Sequence, residues 1–285
     1  MEKLHLVLQN VRTRLVSKIK SDKAGAKESL LKQANWSEIK MHQRNDLCSL
    51  IKNFPFLADV QEDKLKLLLE NARVKKYKKG SVLLLEGDYP STFYLILNGW
   101  VKLSKISFNG EESVIQLFSS GNTLIESSMI LNTPSQVNIQ TMAYSTLISI
   151  PVAAIKRLAE NCQFFALNIL NLLSKQLETL TSHIGNIRLK AAEERVGWFL
   201  LNLFSNNYAP SNVLQLPYNK GIIASYLGMK AETFSRALND LKKKGFQIKN
   251  NAVIMPNTKA LCNFCDVSIY PRCPRYNKNE CPLLQ

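Results

Sequence analysis

From Ala72 to Ile150 the chain advances in short apolar runs that stop at glycine turns. Val82-Leu83-Leu84-Leu85 ends at Glu86-Gly87-Asp88, Phe93 to Leu97 at Asn98-Gly99, Val101 to Ile106 before Asn109-Gly110, and Val114 to Phe118 before Gly121. Such runs are rich in β-branched and aromatic residues, and the glycines supply the positive φ that tight hairpins need. The segment is expected to be an antiparallel β-barrel or roll, closed by Gln136 to Met142 and Thr146 to Ile150.

Pro151 opens a helical stretch in which Leu170, Leu173, Leu177, Leu180, Ile184 and Ile187 recur at alternating spacings of three and four. That is the 3.5-residue period of a coiled-coil seam, with Asn171, Lys175, Glu178 and Ser182 among the residues between. A helix packed on its own roll would also carry an apolar face. The regularity favours a two-fold homodimer with these six residues at its interface.

Two short helices follow across Lys220 to Lys244, with Ala224 and Gly228 supplying the small residue and the glycine that a tight helix-turn-helix needs. Ile223, Leu227, Phe234, Leu238 and Leu241 form the shared apolar face. The opposite face of the second helix presents Lys230, Glu232, Ser235, Arg236 and Asn239. Arginine bonds bidentately to guanine, glutamate accepts from cytosine and serine reaches base edges or phosphate, so these five are the candidate DNA-reading residues. Lys242 to Lys244 suit the phosphate backbone, and Phe246-Gln247-Ile248 with Val253-Ile254-Met255 around Asn250-Asn251 form a hairpin wing. Many polar helix faces are merely solvated; the wing, the basic run and the small-residue spacing together make this one a reader of double-stranded DNA.

Charge supports that partner. Lys and Arg number 37 against 22 Asp and Glu, a net +15 in 285 residues. Residues 215–285 hold 11 Lys and Arg against 4 acids and residues 1–45 hold 10 against 4, so the excess lies at two ends around a nearly neutral middle. The first end carries Leu4, Leu8, Val11 and Leu15 at helical spacing and reads as a basic helical extension. No run of 18 apolar residues occurs, so neither a membrane span nor a membrane partner is expected, and the protein should be cytoplasmic.

Four of the six cysteines fall in the last 24 residues, as Cys262-x2-Cys265-x7-Cys273-x7-Cys281. In a reducing compartment such a group binds metal more often than it forms disulfides. Four thiolates serve a [4Fe-4S] cluster or a zinc ion equally well. Cys48 and Cys162 read as ordinary buried residues. A thiol oxidoreductase using Cys262 and Cys265 is the remote alternative, because this CxxC follows a winged helix rather than opening a helix in a βαβ unit. No other feature suggests an enzyme.

The order of parts across about residues 48 to 261 resembles the Crp-Fnr family of bacterial transcription regulators. Gly80, Gly87, Gly99, Gly110 and Gly121 sit where that family's roll turns, and Glu232-x-x-Ser235-Arg236 matches the recognition-helix signature of its oxygen-responsive Fnr branch. The resemblance implies an α+β fold: a cyclic-nucleotide-binding-type β-roll (46–160), a long coiled-coil dimerisation helix (161–190) and a winged helix-turn-helix (191–261), flanked by the basic extension (1–45) and the cysteine-rich tail (262–285). It also implies a palindromic operator with TTGAT-like half-sites, Arg236 on the guanine, and RNA polymerase as a further partner.

Two departures refine this picture. Where cyclic-AMP-binding members carry an Arg-Ser pair that holds the phosphate, this chain has Gln136-Val137, with no arginine between Gly121 and Ile150, so no cyclic nucleotide is expected. Where many Fnr-branch members group cysteines at the N-terminus, this chain groups them after the wing, as some Gram-positive members do. The expected signal is therefore oxygen, nitric oxide or redox state acting at the tail. The alternative is a structural zinc tail with a small effector in the roll.

Overall fold

The computed structural model describes residues 48, 51–52, 54–57, 59–124, 127–207, 212–216, 219–249, 252–257, 259–266, 269 and 273. The expected N-terminal extension, Glu126, the Asn250-Asn251 turn and Cys281 lie outside them. After α1 (Glu62–Glu70) come eight strands: β1 (Arg73–Tyr77), β2 (Val82–Leu84), β3 (Thr92–Asn98), β4 (Trp100–Ile106), β5 (Glu112–Ser119), β6 (Thr123–Leu124), β7 (Asn138–Thr141) and β8 (Ser145–Pro151), with α2 (Ser127–Leu131) between β6 and β7. They form two four-stranded antiparallel sheets, ordered β1-β8-β3-β6 and β2-β7-β4-β5. The five glycines named above all adopt positive φ, between 79° and 102°.

Strand alternation explains why the centre of β3, Phe93 to Leu97, is apolar at every position. Tyr94 and Ile96 face a core inside the roll, with Val101, Phe118, Leu124 and Ile139, whereas Phe93 and Leu95 face the opposite way. That second core joins Ile148 and Ile150 of β8 to Phe56, Leu65 and Phe165. A sheet covered on both faces has no use for polar positions. Two elements lacked the pattern that revealed the others: β1 reads Arg-Val-Lys-Lys-Tyr on an exposed edge, and β6 has only two residues.

Beyond the roll come α3 (Val152–Asn161), α4 (Gln163–Leu189) and α5 (Ala192–Asn207). With 27 residues, α4 is about 40 Å long. The reading unit follows as β9 (Val213–Gln215), α6 (Lys220–Tyr226), α7 (Ala231–Lys243), β10 (Gln247–Lys249) and β11 (Ala252–Ile254). Among the described residues no helix is long and apolar enough to cross a membrane.

The roll and the reading unit are in contact. Val114 of β5 lies in the reading unit's apolar cluster, with Trp100 and Leu117 packed against it. The Val114 amide donates to Ser225 Oγ of α6 at 2.9 Å, and that hydroxyl donates to the Glu112 carbonyl at 3.3 Å.

Candidate nucleic-acid interface

The reading helix is set in place by the turn before it. Asn219 caps α6, its side-chain oxygen accepting from the Ile222 amide at 3.0 Å. Gly228 then takes φ +62°, which lets the chain reverse so that the Met229 amide donates to the Ala224 carbonyl at 3.0 Å. A Cβ at 228 would also stand 3.1 Å from Ile187 Cγ2 of α4. Ile223, Leu227, Phe234, Leu238 and Leu241 are buried in one cluster and fix α7 against α6 and α5. The opposite face of α7 is therefore outward. Glu232, Arg236 and Asn239 are exposed and Ser235 is half-buried, at helical spacings of three and four; exposed Lys230 is the residue before the helix. Arg236 has no ion pair or hydrogen bond among the described residues.

The lysine run is less available than its sequence suggests. Lys243 pairs with Asp240 at 2.8 Å, and Lys244 pairs with Glu193 at the start of α5. The wing is three-stranded rather than a hairpin alone, with β9 joining in the order β10-β11-β9.

The expected dimer seam divides between two surroundings. Leu170, Leu177 and Ile184 are 59%, 67% and 54% exposed and form a stripe along α4. Leu173 and Leu180 are half-buried, and Ile187 packs on Gly228 of its own reading unit. One turn before Ile187, His183 is buried and stacks on the Tyr226 ring of α6, with centroids 4.2 Å apart and planes 12° apart. Its Nδ1 has no partner among the described residues. Burial holds the imidazole below the usual histidine value, against a hydrogen bond to the Tyr226 main chain that acts the other way.

The described part of the tail packs into the reading unit. Leu261, Cys262, Ile269 and Cys273 are buried, and all but Cys262 belong to the reading unit's cluster. Cys262 and Cys265 stand one 3₁₀ turn apart, the Cys265 amide donating to the Cys262 carbonyl at 3.0 Å. As soft donors so close in the chain, the pair suits a thiolate-bound cluster or zinc. Cys273 is not brought to them: among the described residues no three His, Cys, Asp or Glu side chains are placed to hold a metal ion. Cys48 and Cys162 are buried, as expected.

In the roll, a cavity of about 380 Å³ is lined by residues including Leu83, Leu84, Tyr89, Tyr94 and Met129, with Asp88 the one charged group on its wall among the described residues. No lysine or arginine among the described residues lines it. At the position of the family's Arg-Ser pair, Gln136 is exposed and Val137 is buried in the roll core. The Ser135 hydroxyl next to them donates to the Val137 carbonyl at 2.9 Å. An anionic phosphate would meet no cation among the described residues of this cavity.

Residues 74–162 match the cyclic nucleotide-binding domain model and residues 194–264 match the Crp-like helix-turn-helix domain model. The chain is 30% identical over 195 residues to the Anaerobic regulatory protein of Pasteurella multocida, an alignment covering 67% of this chain and 70% of that one. The chain belongs to the Crp-Fnr family. Another Crp-Fnr relative, the Fumarate and nitrate reduction regulatory protein of Yersinia pestis, is 27% identical over 73% of this chain and 84% of its own. The fold agrees with the structure of FixK2 from Bradyrhizobium japonicum, at a TM-score of 0.62 and 22% identity over 69% of this chain and 98% of that one. As a Crp-Fnr member with a Crp-like helix-turn-helix, the protein is a DNA-binding transcription regulator, and its relatives are regulators rather than enzymes. The helix-turn-helix model ends at residue 264, so the tail from Cys265 onward lies beyond the matched domain.

Proposed function

We propose that the protein is a homodimeric, sequence-specific regulator that reads a palindromic operator and responds to oxygen, nitric oxide or redox state through its tail cysteines. The outward face of α7 carries the reading: Glu232, Ser235, Arg236 and Asn239 share it, and Arg236 has no partner to leave among the described residues. TTGAT-like half-sites, with Arg236 on the guanine, follow from the Fnr-type signature. The exposed stripe of Leu170, Leu177 and Ile184 supports dimerisation along α4, which would set two reading helices roughly one helical turn of DNA apart.

Cys262 and Cys265 would hold an iron-sulfur cluster, with Cys273 and Cys281 as the remaining candidate ligands. When bound, such a cluster supplies an oxidisable centre. The relatives' names, Anaerobic regulatory protein and Fumarate and nitrate reduction regulatory protein, favour this signal class. Selection of binding sites from random DNA tests the operator, and metal analysis of anaerobically purified protein tests the cofactor. Iron and acid-labile sulfide with absorbance near 400 nm that air bleaches are expected. Zinc alone rejects the cluster and leaves a structural zinc tail with an uncharged or cationic effector in the roll, a reading favoured by the cavity beside Asp88.

A further inference from the structure

Only Lys190 and Ala191 separate α4 from α5, so two residues set how the long helix meets the reading unit. Lys190 is held from the tail. Its ammonium donates to Asp266 Oδ2 at 2.5 Å and lies 5.7 Å from the centre of the Trp198 ring. Two residues earlier, the Phe264 ring packs on Gly197 of α5 so closely that a Cβ there would overlap it. Lys244, the residue capping α7, also lies near that ring, its Nζ 6.0 Å from the ring centre, and pairs with Glu193 of α5. Phe264 and Asp266 flank Cys265 and together touch the break after α4, the body of α5 and the end of the reading helix.

We infer that Phe264 and Asp266 are positioning residues that fix the α4–α5 junction, and that through them the state of the tail cysteines sets the orientation of the reading helix. The second half rests on the reading of the tail as the sensor; the first does not. Phe264 closes the 3₁₀ turn that begins at Cys262, its amide donating to the Leu261 carbonyl at 3.0 Å. Rebuilding that turn around a ligand, or on losing one, cannot leave the ring where it lies. Gly197 has no side chain to hold it, and the adjacent Asp266 would draw Lys190 with it. The coupling needs no relay through the roll.

The test uses full-length protein purified without oxygen and carrying Asp266→Asn or Phe264→Leu. Three measurements are made: hydrogen exchange of amides 189–196, affinity for the duplex that the unsubstituted protein selects from random DNA, and iron, zinc and sulfide content. Faster exchange at 189–196, unchanged exchange at 222–227 and roughly fivefold or greater loss of affinity at unchanged metal content are expected. In a Cys262→Ser, Cys265→Ser background the same substitutions should cost little more, because both act through one junction. Unchanged exchange at 189–196 overturns the positioning role. Affinity losses that simply multiply in the cysteine-free background overturn the coupling. Should Phe264→Leu loosen the whole reading unit, the near-isosteric Asp266→Asn decides alone. Protein holding no metal or sulfide sinks the cluster reading, and exchange at the junction still judges the two residues.

Discussion

Arg195 on α5 donates to the Leu227 carbonyl at 2.8 Å, and the same nitrogen lies 3.2 Å from the Gly228 carbonyl. One guanidinium thus satisfies main-chain acceptors at the turn between the two DNA-binding helices, where the end of α6 leaves carbonyls without helical partners. Replacing it with alanine should destabilise the reading unit by about 1–3 kcal/mol, seen as a lower denaturant midpoint. Lysine, which retains one donor, should recover part of that. A midpoint unmoved by Arg195→Ala would show that the turn holds itself.

Arg236 differs, since it is exposed and holds no hydrogen bond or ion pair among the described residues. Arg236→Ala should leave the unfolding midpoint unchanged and cost about 1–3 kcal/mol on the selected operator, with base preference relaxed at a single position. Equal weakening on every sequence would assign it to the phosphate backbone instead.

The stripe on α4 can be tested without touching DNA. Leu177 is 67% exposed in the single chain, so Leu177→Glu should not disturb the fold. If the stripe is the dimer contact, burying that charge opposes association, and sedimentation should show a monomer at concentrations where the unsubstituted protein is dimeric.

His183 should make stability depend on pH. Burial lowers its folded-state pKa below the usual value of 6.5, so between the two values the unfolded chain binds more protons than the folded one. Stability is full above the unfolded value and is lost as pH falls through the folded one. The denaturant midpoint should therefore fall between about pH 7.5 and about pH 5.5, and fall less in His183→Phe, which keeps a ring against Tyr226. Equal losses in the two proteins would assign the effect elsewhere.

The roll makes a negative prediction. Among the described residues its cavity offers Asp88 and no cation, so millimolar cyclic AMP should leave Tm unchanged, and a clear rise would overturn this reading of Gln136-Val137.

How much of this was legible in the sequence depended on whether an element carries a period or a special turn. Gly87, Gly99 and Gly121 marked turns because their backbone conformation is costly for other residues, and Gly228 marked the reading turn for the same reason; yet where hairpins were expected these three turns carry the chain from one sheet to the other, whereas Gly110 turns the β4–β5 hairpin. Strand β1 escaped because an exposed edge of Arg73, Lys75 and Lys76 has no alternation, and β9 because three residues after a polar loop have no period. The seam on α4 was periodic throughout, yet period alone does not say what each face meets: Leu177 faces outward and Ile187 meets Gly228. The tail was the least legible part. Leu261, Phe264 and Ile269 pack on the reading unit from irregular chain, where no spacing rule announces burial, and the cysteines drew attention to ligands rather than to the phenylalanine between them.

Val114 shares its core with the reading helices, and its amide is tied to Ser225. The seam at which this chain can be exchanged with a relative therefore does not run through the α4–α5 junction, where the domain order would draw it. A chimera keeping this reading unit must also keep the β4–β5 hairpin, because a foreign roll would strip α6 of its neighbour and leave apolar surface bare. The portable module is the reader together with one hairpin of the roll.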